Sequence, residues 1–254
     1  MNRILRTLGA LTVVVACMWW PSLAAAQATQ VDESQWSIDV GLGMDVGVNG
    51  NINSGAIGTL QGQTVAILPN PYGDVYGTGL HLRVGLGYML GMLGEDSEVR
   101  GGFTYQSADA DLVRLGDFGP SNLYGQYSDY VTVGLDVGYR RYMRFSDSRV
   151  RAYGEGTVGL AFIDEVNILL AAPQTNVVFN DTDFYDRTAS FTWGINVGAI
   201  FPIATQLDFN AQIGLRRGSG LSEVDRFVGT GLEEINNDSA RITLPIVIGV
   251  RYRF

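Results

Sequence analysis

The feature that most constrains this chain is a regular alternation of apolar and polar residues along its last segment, Ile242 to Phe254. In the run ITLPIVIGVRYRF every second residue is large and apolar, and Arg251 and Arg253 lie between the last three of them. A period of two residues is the signature of a β-strand, because successive side chains of a strand point to opposite faces. The chain is therefore predicted to end on a strand with one apolar face and one polar face.

The same alternation recurs along the chain and predicts eight strands in total. It is regular in most segments and less regular in EVRGGFTYQSAD and VRAYGEGTVGLAFI, where glycines interrupt the apolar face. The seven further segments are 36–48, 79–90, 98–109, 130–140, 150–163, 190–201 and 206–216.

The connections between these segments alternate strictly between long and short. Long polar stretches fall at about 49–74, 111–126, 165–189 and 218–239, and short ones at about 91–97, 145–149 and 202–205. This pattern predicts antiparallel neighbours in one domain. We expect four acidic, mobile loops at one end of the assembly, and three tight turns with both termini at the other.

The composition indicates which face of the strands meets which solvent. The chain contains 33 glycines, many of them on the polar face, which is therefore unlike an ordinary solvated surface. The apolar face recurs in strand after strand, and in lipid a sheet must close so that every backbone N–H and C=O has a partner. The predicted fold is all-β: a closed eight-stranded antiparallel up-and-down transmembrane β-barrel over residues 27–254.

The first 26 residues have the organisation of an export signal. A basic segment, MNRILR, precedes an apolar segment and the small residues PSLAAAQA, so cleavage is expected after Ala26 or Ala28. A membrane anchor is disfavoured because the apolar run ends at Pro21, and lipidation at Cys17 is a third interpretation. Removal of Cys17 with the signal would leave no cysteine for a disulfide or for thiol chemistry.

The polar face should line the barrel interior and carry charges that pair with one another, because a lone buried charge is very costly. We interpret the set as a salt-bridged plug for which the inward glycines leave room. The alternative is that these glycines leave a narrow water path. The predicted interior charges are Asp39, Asp45, Arg83, Arg100, Asp136, Arg140, Glu155, Asp208, Arg216, Arg241, Arg251 and Arg253.

Aromatic residues cluster near the strand ends, as expected for girdles at the two membrane interfaces. Aromatic residues also favour strands in general, but the clustering at strand ends favours the girdle interpretation. The principal girdle residues are Trp36, Tyr88, Tyr139, Trp193, Phe201 and Phe209.

With these features, the chain after its first 26 residues resembles the eight-stranded outer-membrane barrels of Gram-negative bacteria. That group includes the transmembrane domain of outer membrane protein A and the outer membrane protein W family. The terminal strand IVIGVRYRF carries the resemblance. The resemblance implies a location in outer-membrane lipid with periplasmic termini, and recognition of Tyr252 and Phe254 by the barrel-assembly machinery. Tethering to peptidoglycan is not expected, since no peptidoglycan-binding domain follows the last strand.

Few residues suggest chemistry, and no catalytic residue, metal site or cofactor is expected. The net charge of −9 disfavours a nucleic-acid partner. His81 is the only histidine and lacks a serine two residues later, so an interior histidine is favoured over a catalytic one. The segment NDTDFYD, Asn180 to Asp186, has acidic spacing but lacks the glycine and distal glutamate of a calcium loop. A solvated acidic loop is the favoured interpretation.

Three functional hypotheses follow. The first is a monomeric, non-enzymatic barrel whose loops serve surface interaction or envelope integrity, with a loop ligand that the sequence does not identify. The second is a small pore, or a channel that passes a small apolar solute laterally, as is suggested for the outer membrane protein W family. The third is a lipid-modifying enzyme.

Overall fold

The computed structural model describes residues 35–90, 96–144, 149–236 and 240–254. The predicted signal segment and its alternatives at Cys17, Pro21, Ala26 and Ala28 lie outside these residues. Within them, no helix has the length and apolar character needed to cross a membrane.

Eight long antiparallel strands form a closed barrel, which confirms the predicted fold. Each strand pairs with the next one along the chain, and the last pairs with the first, so the topology is an up-and-down meander. The barrel strands are β1 (Trp36–Asn49), β6 (Thr78–Met89), β7 (Ser97–Ala108), β10 (Tyr130–Arg144), β11 (Arg151–Ile163), β14 (Thr188–Pro202), β15 (Leu207–Gly218) and β17 (Arg241–Arg253).

The pairing of β1 with β17 closes the sheet and leaves the barrel without an edge. The register runs from Ser37 opposite Arg253 to Gly47 opposite Thr243, with an irregularity only at the far end. Next to the pair of Ser37 and Arg253, the backbones of Trp36 and Phe254 exchange hydrogen bonds of 3.3 and 3.0 Å. The terminal strand therefore completes the backbone pairing that a sheet in lipid requires.

The outer face of the barrel is apolar, and the inner face is polar. Along β1, Val40 is 51% exposed whereas its neighbour Asp39 is 5% exposed. The same contrast holds at Leu135 in β10 and at Ile195 in β14, which are 55% and 58% exposed. An apolar belt of this kind is the outer surface of a barrel that spans a membrane.

The long connections fold into a second structure, the cap, made of residues 50–77, 109–129, 164–187 and 219–236. The cap strands are β2 (Asn51–Asn53), β3 (Ala56–Leu60), β4 (Gln63–Ile67), β5 (Asn70–Pro71), β8 (Leu112–Phe118), β9 (Ser121–Tyr127), β12 (Val166–Ala172), β13 (Val177–Asp186) and β16 (Ser222–Glu223). Seven of them form a sheet in the order β16-β13-β12-β9-β8-β4-β3, and β2 pairs with β5. One helical turn, α1 (Tyr72–Tyr76), and two 3-10 turns, Pro173–Thr175 and Asp225–Phe227, complete it.

The expectation of four mobile loops is therefore wrong, whereas the four connections are acidic as expected. The physical reason is that these segments carry enough apolar residues to bury a core of their own. The solvated loop expected at 180–186 is likewise part of β13, where Phe184 and Tyr185 are buried. Local turn chemistry supports the strands: Gln61 and Gly62, with φ of 51° and 75°, form the two-residue turn between β3 and β4. Positive φ at both positions is what a tight hairpin turn requires.

The cap core is apolar and continuous, in contrast to the lumen of the barrel. The ring of Phe184 lies 5.4 Å from that of Tyr127 and 5.9 Å from that of Phe227, both edge-on. Leu115 and Leu232 are 2% and 1% exposed within the same core. The cap thus has the packing of a small soluble domain mounted on one end of the barrel.

The connection between β15 and β17, residues 219–236, covers the edge of the cap sheet at β3. The N–H of Thr59, on the edge strand β3, donates to the carbonyl of Thr230 at 2.7 Å. The N–H of Ser54 donates to the carbonyl of Ile235 at 2.8 Å. Because unpaired edges favour pairing with other chains, this covering limits edge-to-edge association of the cap.

The cap core reaches the mouth of the barrel through a tyrosine cluster. The rings of Tyr72 and Tyr76, in α1, lie 6.0 and 5.5 Å from that of Tyr130, the first residue of β10. Burial raises the pKa of Tyr76, so its phenol stays neutral in the folded protein well beyond its ordinary range. This cluster therefore lies at the contact between the cap core and the mouth of the barrel.

Two leucines on β8 test whether the cap core has its own stability. Leu115 is 2% exposed and Leu112 is 62% exposed. Leu115→Asp should disrupt the cap, because an unpaired carboxylate in an apolar core costs several kcal/mol, and limited proteolysis should then cut the cap segments at least about tenfold faster. Leu112→Asp is the matched control and should behave as wild type.

The barrel itself should remain folded in both variants, as measured by its heat-modifiable gel shift in detergent. Equal protease resistance of the two variants would contradict a cap held by its apolar core.

Candidate functional site: the charged lumen

The lumen receives the polar side chains of all eight barrel strands, and the structure places all twelve predicted charges on the inner face. Three of them, Asp136, Arg216 and Arg253, are partly exposed within it. The buried ones are Asp39, Asp45, Arg83, Arg100, Arg140, Glu155, Asp208, Arg241 and Arg251.

Glu155, on β11, is the centre of the larger ion-pair network. Its Oε1 accepts from Arg83 at 3.0 Å, and its Oε2 accepts from Arg100 at 3.0 Å and from Arg140 at 2.6 Å. The amide of Asn196 donates to the same carboxylate at 3.4 Å. One carboxylate thus joins arginines from three other strands.

Two aspartates extend this network across the lumen. Arg83 reaches the Oδ1 of Asp136 at 3.2 Å, and Arg100 forms an ion pair with Asp39. Because arginine presents several donors in a fixed plane, each of these side chains can bridge two carboxylates. The network connects β1, β6, β7, β10 and β11 across the inside of the barrel.

A second network centres on Glu98, a residue that the sequence analysis missed. Its side chain is fully buried and accepts from Arg251 at 2.9 Å and from the hydroxyl of Ser37 at 2.8 Å. Tyr142 donates to it, and Arg140 lies 3.9 Å away, which links the two networks. The available signal was the alternation of β7, in which Glu98 shares the inner face with Arg100.

Aromatic side chains also fill the interior at this end of the barrel. The guanidinium carbon of Arg140 lies 3.8 Å from the ring centre of Tyr153, whose hydroxyl donates to Asn210 at 2.8 Å. Tyr142 and Tyr153 are 3% and 1% exposed. Sequence reasoning placed aromatics only on the lipid side, so it missed these two.

The end of the barrel that carries the chain termini has a third charge cluster. Asp208 faces Arg253 at 3.1 Å and Arg151 at 3.6 Å. Arg253 also donates to the carbonyl of Thr205 in the short connection before β15, at 2.6 Å. This cluster ties the last strand to its neighbours at the rim.

Three of the predicted charges are not brought into ion pairs among the described residues. Asp45, Arg216 and Arg241 lie in the half of the lumen nearer the cap, and both carboxylate oxygens of Asp45 lack a hydrogen-bond partner there. Arg241 instead lies over the ring of Tyr130, 4.5 Å from its centre. His81 is buried in the same half, and its Nδ1 is 3.2 Å from the amide nitrogen of Gln106.

Inward glycines make the room that these networks occupy. A methyl group at Gly85 would lie 2.6 Å from Asp39 and 2.7 Å from the guanidinium of Arg100. One at Gly102 would lie 2.6 Å from the carboxylate of Asp136. The glycines of the polar face are therefore the steric complement of the long charged side chains.

The predicted girdle and terminal residues lie on the outer face. Tyr252 and Phe254 are 44% and 54% exposed at the end of the barrel that carries the termini. Of the girdle residues, Tyr88 and Phe209 are half-buried. The exposed ones are Trp36, Tyr139, Trp193 and Phe201.

Among the described residues, no group of three or more histidine, cysteine, aspartate or glutamate side chains is placed to hold a metal ion. The side chains of Asn180 and Asp181, within the segment considered for calcium, lie outside the description.

No protein-family model and no curated protein sequence matches this chain. Similar folds occur among solved structures. A major outer membrane protein from Thermus thermophilus is 17% identical over 87% of this chain and 99% of its own, with a TM-score of 0.47. The outer membrane protein OprG from Pseudomonas aeruginosa is 12% identical over 87% of this chain and 97% of its own, with a TM-score of 0.44.

The outer membrane protease OmpT from Escherichia coli is 10% identical over 88% of this chain and 98% of its own, with a TM-score of 0.42. At these identities and TM-scores the likenesses carry no argument about function, which must be inferred from this chain's own residues.

Glu155 and Asp164 allow a matched comparison of a buried and an exposed carboxylate. Glu155→Gln should destabilise the barrel by about 3–5 kcal/mol, because it leaves three buried arginines short of a charge. Asp164 pairs with Arg187 at 2.7 Å on the exposed surface, where a hydrogen bond from Arg187 lowers the pKa of the carboxyl group. Asp164→Asn should cost about 0–1 kcal/mol.

The measurement is the urea midpoint of reversible unfolding in lipid vesicles, followed by tryptophan fluorescence. Equal midpoints for the two variants would show that the Glu155 network does not stabilise the barrel.

Proposed function

We propose that this protein is a non-enzymatic outer-membrane barrel whose lumen is closed by ion pairs and whose cap serves as a surface for interaction outside the cell. The observation that carries the proposal is the linked pair of networks around Glu155 and Glu98, which crosses the lumen in its terminal half.

The membrane location follows from the solvent preference of each surface. Barrel strands of 12–15 residues exceed the roughly 9–11 residues that a tilted strand needs to cross a bilayer. Short connections at one end and long ones at the other are typical of barrels with periplasmic turns and extracellular loops. We therefore place the termini in the periplasm and the cap outside, with Tyr252 and Phe254 available to the assembly machinery.

The buried ion pairs of the terminal half support a closed lumen. There, the side chains of Glu155, Glu98, Arg100, Arg140 and Arg251 are at most 2% exposed. An ion that crosses the whole barrel would have to displace these ion pairs, which is costly.

The surroundings of His81 support a non-enzymatic role. This only histidine is 1% exposed inside the barrel and contacts Gln106. A lipid-modifying centre would need its base at the lipid surface. Mass spectrometry of lipid A from overexpressing cells should show no new species, and a new species would establish the enzymatic alternative.

The second candidate is a small pore, and one observation favours it. The cap half of the lumen holds an unfilled chamber of about 40 Å³, lined by both polar and apolar side chains. A pore would extend this chamber through the terminal half, where the ion pairs now lie.

Planar-bilayer recording separates the two candidates. Wild-type protein should give no reproducible steady current. The double variant Glu98→Ala, Glu155→Ala should raise the conductance from baseline to resolved steps, because it removes both hubs of the networks. Asp164→Ala, in an exposed ion pair of the cap, is the control and should stay at baseline. A steady, reproducible wild-type current would overturn the closed lumen and establish the pore.

A further inference from the structure

The inner faces of the barrel strands carry more positive than negative charge. The described side chains comprise eight arginines and six carboxylates, although the whole chain has a net charge of −9. The arginines are Arg83, Arg100, Arg140, Arg151, Arg216, Arg241, Arg251 and Arg253, and the carboxylates are Asp39, Asp45, Glu98, Asp136, Glu155 and Asp208. Excess charge inside a barrel is costly unless a counter-charge enters with it.

The excess is concentrated in the half of the lumen nearer the cap. Six of the arginines form ion pairs with carboxylates in the terminal half or at its boundary. Arg216 and Arg241 form none among the described residues, and the nearby acidic side chains are Asp45 and Asp136. Asp136 is already engaged by Arg83 at 3.2 Å.

Both of these arginines line the chamber in the cap half of the lumen. Arg216 is on β15 opposite Thr243 of β17, and Arg241 is two residues before Thr243 on the same strand. Arg241 is 7% exposed, and its Nε has no hydrogen-bond partner among the described residues. Arg216 and Arg241 thus place two cationic groups in the chamber wall, which also contains Asp136, and the chamber volume of about 40 Å³ leaves room for a group of a few heavy atoms.

Hydroxyl groups complete the lining of the chamber. Thr132 and Thr243 are 5% and 4% exposed, and the Oγ1 of each lacks a hydrogen-bond partner among the described residues. Ser190 and Thr192, on β14, lie on the same wall. The hydroxyl of Ser190 already donates to the carbonyl of Ser219 at 2.9 Å, so the free donors are those of Thr132 and Thr243. Two free hydroxyl donors beside two guanidiniums are a combination that fits an oxygen-rich anion.

We propose that this chamber is a binding site for a small oxyanion, the phosphate or carboxylate group of a free solute. Arg216 and Arg241 supply charge-assisted hydrogen bonds, which are the strong ones in a low-dielectric site. Thr132 and Thr243 donate to the remaining oxygens. Asp136 lines the chamber and is paired with Arg83 at 3.2 Å, whereas Asp45 does not line it. Both carboxylates are already counted among the six that the eight arginines outnumber.

This inference goes beyond the proposed function, since a ligand can bind in the chamber while the terminal half stays closed. A loss of binding and a gain of conductance are measured separately, so either proposal can fail alone.

The test is calorimetric titration of folded protein in a zwitterionic detergent with sodium phosphate, against sodium chloride at equal ionic strength. Wild type should show saturable binding of phosphate at one site per chain and none of chloride. Arg216→Gln and Arg241→Gln should each weaken binding by at least about tenfold, as expected when a charge-assisted hydrogen bond is removed.

Arg217 provides a matched control on the same strand. It is the next residue along β15, pairs across the sheet with Trp193, and is exposed on the outer face. Arg217→Gln removes the same charge from outside the lumen and should bind phosphate as wild type does. Equal weakening by Arg216→Gln and Arg217→Gln would overturn the site.

Two further measurements test the site with the wild-type protein alone. Wild type alone should gain thermal stability with phosphate in a saturable way, and no gain over chloride would overturn the proposal. Titration in micelles doped with phosphatidylglycerol distinguishes a free solute from a lipid phosphate. Unchanged affinity supports the chamber, whereas competition by the lipid would assign the binding to a headgroup site.

Discussion

The structure depends on the closing contact between the first strand and the last. A strand in lipid has no water to satisfy its N–H and C=O groups, so an open sheet edge is not tolerated there. The register between β1 and β17 removes that edge along the whole wall. Once the sheet is closed, alternation sends every second side chain outward and the others into the lumen. The belt of Val40, Leu135 and Ile195 and the ion pairs of the lumen are thus two consequences of the same closure.

A closed barrel of eight strands encloses little space, so the interior has to be packed as closely as a core. Here the packing is made of charges. Glu155 satisfies three arginines at once, and Glu98 is linked to the same network through Arg140. Such pairs contribute less net stability than their contact energies suggest, because both partners lose hydration. Glycines on the inner face leave the space that several of these side chains occupy, as Gly85 does for Asp39 and Arg100 and Gly102 does for Asp136.

The cap and the barrel have opposite designs on one chain. The barrel is apolar outside and polar inside, whereas the cap buries Leu115, Ile168 and Phe184 in an apolar core and has exposed charges such as Arg114 and Asp117. The tyrosine cluster at α1 and Tyr130 is the boundary between the two. Specific recognition usually resides in the connections that a rigid scaffold carries, and the cap is built from the long connections of this barrel.

The alternation in the sequence was enough to predict the eight barrel strands, their two faces, the closure and the twelve charges of the inner face. The reason is that a period of two shows which side of a sheet each residue occupies. It did not reveal which charges meet. The partners of Glu155 come from β6, β7 and β10, and such contacts depend on the stagger of the strands around the barrel. Glu98 lay within the predicted segment 98–109 but was not assigned to the inner face, whereas Tyr142 lay beyond the predicted segment 130–140. The cap was missed because its strands are short and bury their apolar residues only against one another, across four separate connections. Only the folded barrel shows which arginines are paired and that Arg216 and Arg241 lie beside an unfilled chamber. The reason is that the stagger of the strands sets the depth of each side chain within a closed barrel.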